Sequence, residues 1–157
     1  MGGDSATRRL GDSADYGHDA RLTTTLQVRG MNTPQFRRRD ASSFRQLDVW
    51  VHAMDLVMDV YALTVAFPNS ERYGLTSQLR RAAVSIPANV AEGKARFGAG
   101  EYRRFVSIAL GSVAEVQTEL EIAERLRFVE ARQLEPAREK LDRVGRMLTA
   151  LAKKLSS

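Results

Sequence analysis

Gln78, Arg81, Ser85, Asn89 and Glu92 recur three and four residues apart, so on a helix they line one face. An apolar stripe, Leu75, Leu79, Ala82, Ile86 and Val90, runs beside them about 100° round the same helix. An ordinary amphipathic helix needs polarity on its outer side, not five different polar groups held in register. Two readings follow. The stripe is either a hydrogen-bond network that fixes this helix on the next one, where Ser112 and Glu115 could answer it, or a site for a ligand or partner. Catalysis finds no support, because no nucleophile stands beside a plausible base; the expectation is a protein that is not an enzyme.

A second group of residues could meet phosphate. Arg80, Arg81, Lys94, Arg96, Arg103 and Arg104 are expected to cluster at one end of the second and third helices. Lys140, Arg143, Arg146, Lys153 and Lys154 form another basic group. Lys and Arg release counterions from a phosphate backbone, so such clusters would give salt-sensitive binding to RNA or DNA. The alternative is a solvated charged face. No motif for reading base edges is present, which predicts poor sequence specificity. Tyr102 and Phe105 interleave with the arginines and could stack on bases, but their helical spacing reads as core. Glu101, Glu115, Glu119, Glu121 and Glu124 limit the basic character to a local patch. Asp48, His52, Asp55 and Asp59 share one face of the first helix and could hold a hard cation. A solvent-facing acidic stripe explains them as well, and neither metal nor cofactor is expected.

Composition narrows the classes. The 157 residues include no cysteine and only two histidines, His18 and His52, which excludes disulfides, thiolate metal sites and a His-rich zinc site. The net charge of +5 and a pI near 10.0 permit nucleic-acid binding without requiring it. No run approaches the ~18 apolar residues of a membrane span, and the N-terminus has no apolar leader core. A soluble, cytoplasmic protein without membrane contact is expected.

The elements that must position these residues begin after a change of composition. About a quarter of residues 1–40 are apolar, against 43% of the whole chain. Residues 1–41 are therefore expected to be a poorly ordered tail, with one weak strand alternation at Leu22–Val28 and a basic cluster at Arg37, Arg38 and Arg39. From 42 to 157 the pattern is helical throughout. Ser43-Phe44-Arg45-Gln46 fits a capping box. Phe44, Leu47, Val51, Met54, Met58, Tyr61 and Val65 form one stripe of the first helix; Trp50, Ala53, Val57, Val60 and Thr64 form another. Together they cover a wider arc than one neighbour can bury. A second helix is expected over Thr76–Gly93, kinked at Pro87, and Gly98-Ala99-Gly100 reads as a loop. A third carries Tyr102, Phe105, Ala109, Ser112, Val116, Leu120, Ala123 and Leu126, with Ser107, Gly111 and Ala114 small enough for a neighbour to approach closely. In the fourth, Leu134, Ala137, Leu141, Val144, Leu148, Leu151 and Leu155 alternate strictly, and Pro136 either kinks it or marks its first position. Four long helices, short loops and no strand signal in this region predict an all-α, antiparallel up-down four-helix bundle.

Three segments carry a resemblance. LDVWVHAMDLVMDVYALTVAFP from Leu47 to Pro68, ERYGLTSQLRRAAVSIPANVAEG from Glu71 to Gly93, and EYRRFVSIALGSVAEVQTEL from Glu101 to Leu120 together resemble the bacterial four-helix bundle proteins encoded within intervening sequences of 23S ribosomal RNA genes. The resemblance spans Phe44 to Leu155, with Val90 standing where Ile is more usual. It implies a homopentamer of four-helix subunits. It also implies kinship with the accessory protein of diversity-generating retroelements, a similar pentameric barrel that binds nucleic acid and a nucleic-acid-processing partner, reverse transcriptase. The partners to expect are therefore further copies of this chain, RNA or DNA, and a protein of that kind; the family offers no catalytic residues to carry over.

Overall fold

The structure, a computed structural model, describes residues 44–156. The expectations for residues 1–41, and for Ser43 of the capping box, lie outside the described residues. Four helices account for the fold: α1 Asp48–Leu63, α2 Leu75–Ala95, α3 Ala99–Arg125 and α4 Ala131–Lys154. Short 3₁₀ turns at Thr64–Ala66 and Asn69–Glu71 join α1 to α2, and no strand occurs among the described residues. Each helix packs on the next and α4 returns to α1, which is the antiparallel up-down four-helix bundle that the periodicity predicts.

The core is built from one face of each helix. Leu56, Leu79, Ile86, Leu120, Leu134 and Leu148 are fully buried, each contributing roughly 1.5–3 kcal/mol by removal from water. On α1 the buried residues are Val49, Ala53, Leu56, Val57 and Val60, followed by Thr64 just beyond its end. The inward stripe is thus the one through Ala53, Val57 and Val60. The companion stripe points out: Met58 is 65% exposed and Val65 79%, with Val51 and Tyr61 also open. Both stripes are apolar, so the choice depended on where α2 and α4 lie.

That surplus has a second consequence. Asp48–Ala66, 19 residues, is long and apolar enough to cross a membrane by length and composition. This corrects the expectation that nothing in the chain approaches such a span. Asp48, His52, Asp55 and Asp59 interrupt any continuous apolar run, but the many branched and long side chains between them raise the average.

The helix ends follow local chemistry. α1 starts later than the capping box suggests, because Phe44 to Gln46 form a turn in which the Leu47 N–H reaches the Phe44 carbonyl at 3.1 Å and the Phe44 ring meets Trp50 edge-on at 5.3 Å. Glu71 reaches forward to accept the Leu75 N–H at 3.0 Å, satisfying a free donor at the start of α2. α2 then runs unbroken through buried Pro87. The α2–α3 connection is shorter than expected: Gly98, at φ +98°, makes the turn, and Ala99 and Gly100 already belong to α3. α3 ends in a Schellman-type turn, with the Phe128 N–H on the Ala123 carbonyl at 3.0 Å and Arg127, rather than a glycine, at φ 58°. α4 begins at Ala131, where the Gln133 side chain accepts the Glu130 N–H at 2.9 Å. Pro136 is therefore the sixth residue of α4 and does not mark its start.

Candidate functional site

The polar stripe of α2 divides in two. Ser85 and Asn89 are half-buried and face α3. The Asn89 amide donates to the Ser85 carbonyl at 2.8 Å and to its hydroxyl at 2.9 Å. From α3, the buried Ser112 hydroxyl donates to Ser85 Oγ at 2.9 Å and lies 3.3 Å from the Ile108 carbonyl. This is a cross-helix network of three short polar side chains. Gln78, Arg81 and Glu92 are exposed and stand outside it. Glu92 is ion-paired with Arg96 one turn along the same helix. Of the two α3 residues expected to answer the stripe, Ser112 does so and Glu115 does not.

A tight approach of α2 and α3 lies beside this network. A Cβ added at Gly93 would stand 2.7 Å from Phe105 Cβ and 2.7 Å from Tyr102 Cδ2. The small residues singled out on α3 play no such part: Ser107, Gly111 and Ala114 are exposed, and a Cβ at Gly111 would meet nothing within 4 Å. The close contact uses the glycine of α2 because Tyr102 and Phe105 of α3 fill the space opposite.

Toward the other end, an open groove between α2 and α3 is lined by Tyr73, Gln78, Arg81, Ser85, Glu115 and Glu119, among others. Burial, reinforced by the negative charge of Glu115 and offset by Arg81, lifts the Glu119 carboxyl from 4.5 to about 7. Its Oε2 is buried and makes no hydrogen bond with any described residue. Burial likewise raises Tyr102, whose hydroxyl also lacks a hydrogen-bond partner among the described residues.

The basic residues do not form one cluster. Arg80 donates through Nε to Thr64 Oγ1 at 2.8 Å and lies over the Tyr61 ring at 4.7 Å, so it ties α2 to the end of α1. Arg81 faces the carboxylates of the groove. Lys94 follows Arg80 by fourteen residues, about 21 Å along the axis, which separates Arg80 and Arg81 from the rest. Lys94, Arg96, Arg103 and Arg104 gather where α2 turns into α3. There the Lys94 ammonium sits 5.9 Å from the Tyr102 ring centre and the Arg96 guanidinium 5.1 Å from that of Phe105. Arg103 and Arg104 are exposed and form no ion pair with a described residue. Phe97, at the turn between α2 and α3, is 83% exposed.

Elsewhere charge is spent within the bundle. Lys140 of α4 pairs with Asp59 of α1 at 2.5 Å, drawing Asp59 out of the acidic stripe, and Arg138 reaches Glu124 at 2.5 Å. Asp48 and Asp55 remain exposed. Among the described residues no three His, Cys, Asp or Glu side chains converge as a metal site.

The fold and these contacts define an all-α bundle whose central helix pair is locked by a small polar network. The chain belongs to the family of 23S rRNA-intervening sequence proteins, which matches over residues 45–150. No curated protein shows significant similarity to it. Among solved structures it is similar to the 1.70 Å crystal structure of a protein of unknown function from the S23 ribosomal protein family of Bacteroides thetaiotaomicron VPI-5482. That likeness has a TM-score of 0.61 at 19% identity and covers 67% of this chain and 98% of the other. At that identity it speaks to the fold alone.

Proposed function

We propose that this protein is a non-enzymatic, oligomeric four-helix bundle that associates with nucleic acid or a ribonucleoprotein through the basic end of its α2–α3 hairpin. The observation that carries the nucleic-acid reading is that Lys94, Arg103 and Arg104 are exposed there and form no ion pair with described carboxylates, whereas Arg80, Lys140 and Arg138 are used in holding helices together. Self-association is supported by the outer face of α1. Val51, Met58, Tyr61 and Val65 are exposed, and Val84 of the adjoining α2 adds to the apolar surface. Such surface on a bundle marks an interaction site, and a closed homo-oligomer, a pentamer by the resemblance of the sequence, would cover it. A cytoplasmic location accords with nucleic acid as partner.

The same apolar face favours a second reading, a scaffold that docks a protein and does not touch nucleic acid. One experiment separates them. Light scattering is expected to show an oligomer at micromolar concentration, and labelled RNA or DNA is expected to be retained at ~50 mM salt and released as salt rises. Arg103→Glu with Arg104→Glu should abolish retention while helicity holds. A stable monomer would refute the assembly. An oligomer that retains neither nucleic acid at ~50 mM salt would replace this reading with the scaffold.

A further inference from the structure

The open groove between α2 and α3 has two walls of regular spacing. Ile108, Gly111, Glu115 and Glu119 recur three and four residues apart on α3, and Arg81 and Ser85 face them from α2. The α3 wall leaves room along its length. A Cβ at Gly111 would meet nothing within 4 Å, and Ile108 beside it is 44% exposed. The groove therefore offers an apolar strip at one end and two carboxylates at the other, one helical turn apart.

One acceptor in this groove is left over. Glu119 Oε2 is buried and receives no hydrogen bond from a described residue, although Ser85 and Ser112 of the same groove are paired with each other. Buried polar atoms are ordinarily satisfied, so an orphaned carboxylate oxygen asks for a donor. Arg81 offsets its charge without donating to that oxygen. With Glu119 ionised, two carboxylates face one guanidinium, and the groove is one positive charge short of balance. A hard metal ion would need more oxygen ligands than this, and among the described residues no three acidic or histidine side chains converge. An ammonium or guanidinium group needs less. It brings its own N–H donors to whatever acceptors are present, and its carbon skeleton can cover the exposed Ile108.

We propose that the α2–α3 groove binds a small organic monocation, an alkylammonium or guanidinium compound whose N–H groups donate to Glu119 and Glu115 while its carbon chain lies along Gly111 and Ile108. Binding is coupled to a proton. Burial, reinforced by Glu115 and opposed by Arg81, keeps the Glu119 carboxyl protonated up to about pH 7. A bound cation favours the ionised form and displaces that proton, so affinity rises with pH until Glu119 is ionised.

The test titrates the full chain in its native assembly with n-butylammonium, followed by ligand-observed NMR, and with n-butanol as the uncharged probe of the same length. Butylammonium should bind and butanol should not. Between about pH 8.5 and about pH 5.5 the ionised fraction of Glu119 falls roughly thirtyfold, and butylammonium affinity should fall with it. Glu119→Gln should weaken binding at least about tenfold at the higher pH, the loss of one hydrogen bond to a charged group, and should abolish the pH dependence. Gly111→Leu fills the groove but leaves both carboxylates in place, and should lose binding at both pH values. Circular dichroism checks that each variant folds. The proposal is overturned if butylammonium does not bind at the higher pH, or if butanol binds as well as butylammonium does. Undiminished binding by either folded variant places the cation elsewhere and overturns it too.

Discussion

Gly93 allows a prediction whose sign can be worked out from the structure. Ordinary carbon contacts lie at about 3.5–4.0 Å. A Cβ at Gly93 would sit 2.7 Å from both Phe105 Cβ and Tyr102 Cδ2, and 3.2 Å from Tyr102 Cε2. Phe105 Cβ is fixed to the backbone of α3, and the Tyr102 ring is buried, so neither can swing aside. α2 and α3 must separate for the methyl to fit. Overpacking of this kind costs roughly 1–3 kcal/mol. The same change restricts the unfolded chain and favours helix by about 0.5–1 kcal/mol. The clash should win, leaving Gly93→Ala less stable by about 1–2 kcal/mol. Gly111 provides the matched control on α3, where an added Cβ meets nothing within 4 Å. There only the helix term acts, and Gly111→Ala should be more stable by about 0.5–1 kcal/mol. Urea denaturation followed by circular dichroism, at equal protein concentration, reads both. If Gly93→Ala gains stability as Gly111→Ala does, the close α2–α3 approach is refuted.

Three further substitutions test the polar groups of the same helices. Glu119 carries a carboxyl raised from 4.5 to about 7, so the folded state holds a proton that the unfolded state releases. Stability should therefore be highest below about pH 4.5 and fall as pH rises through about 7; a shift of that size corresponds to about 3 kcal/mol, which water at this partly exposed group reduces to about 1 kcal/mol. Glu119→Gln should flatten that part of the pH–stability curve and stabilise the protein near pH 8, and an unaltered curve would reject the assignment. Asn89→Leu removes two hydrogen bonds to Ser85 and should cost about 1–2 kcal/mol, whereas Glu92→Leu loses only an exposed pair with Arg96 and should change stability by less than about 1 kcal/mol; equal effects in thermal melts would dismiss the division of the stripe.

Much of the bundle was legible because periodicity is local. The alternation of Leu134, Ala137, Leu141, Val144 and Leu148 names the buried face of α4 without reference to any other helix. α1 shows where that signal ends. Val51, Met58 and Val65 are as apolar as Ala53, Val57 and Val60, and period alone cannot choose between two greasy stripes on one helix. The division of the basic residues was hidden for a related reason. Arg80 and Lys94 share a charge, but the partners that engage one and spare the other come from distant parts of the chain: Thr64 and Tyr61 for Arg80, and for Lys94 no carboxylate among the described residues. Gly93 is opaque in sequence as well, since its purpose is set by Tyr102 and Phe105 across the helix interface.

These separate features bear on one another through symmetry. The apolar outer face of α1 runs along the helix axis, whereas Lys94, Arg103 and Arg104 gather at one end of the bundle, where α2 turns into α3. Docking along the sides of the bundle leaves that end uncovered. If the copies close into a cyclic ring, rotation about a single axis carries every α2–α3 hairpin to the same rim. A patch too modest to hold a polyanion alone is then repeated at fixed spacing, and a strand engaged by one hairpin meets the next at high effective concentration. Exposure of the α1 stripe and exposure of the hairpin thus serve the two halves of one proposal. Loss of assembly should weaken nucleic-acid retention even with every hairpin cation in place.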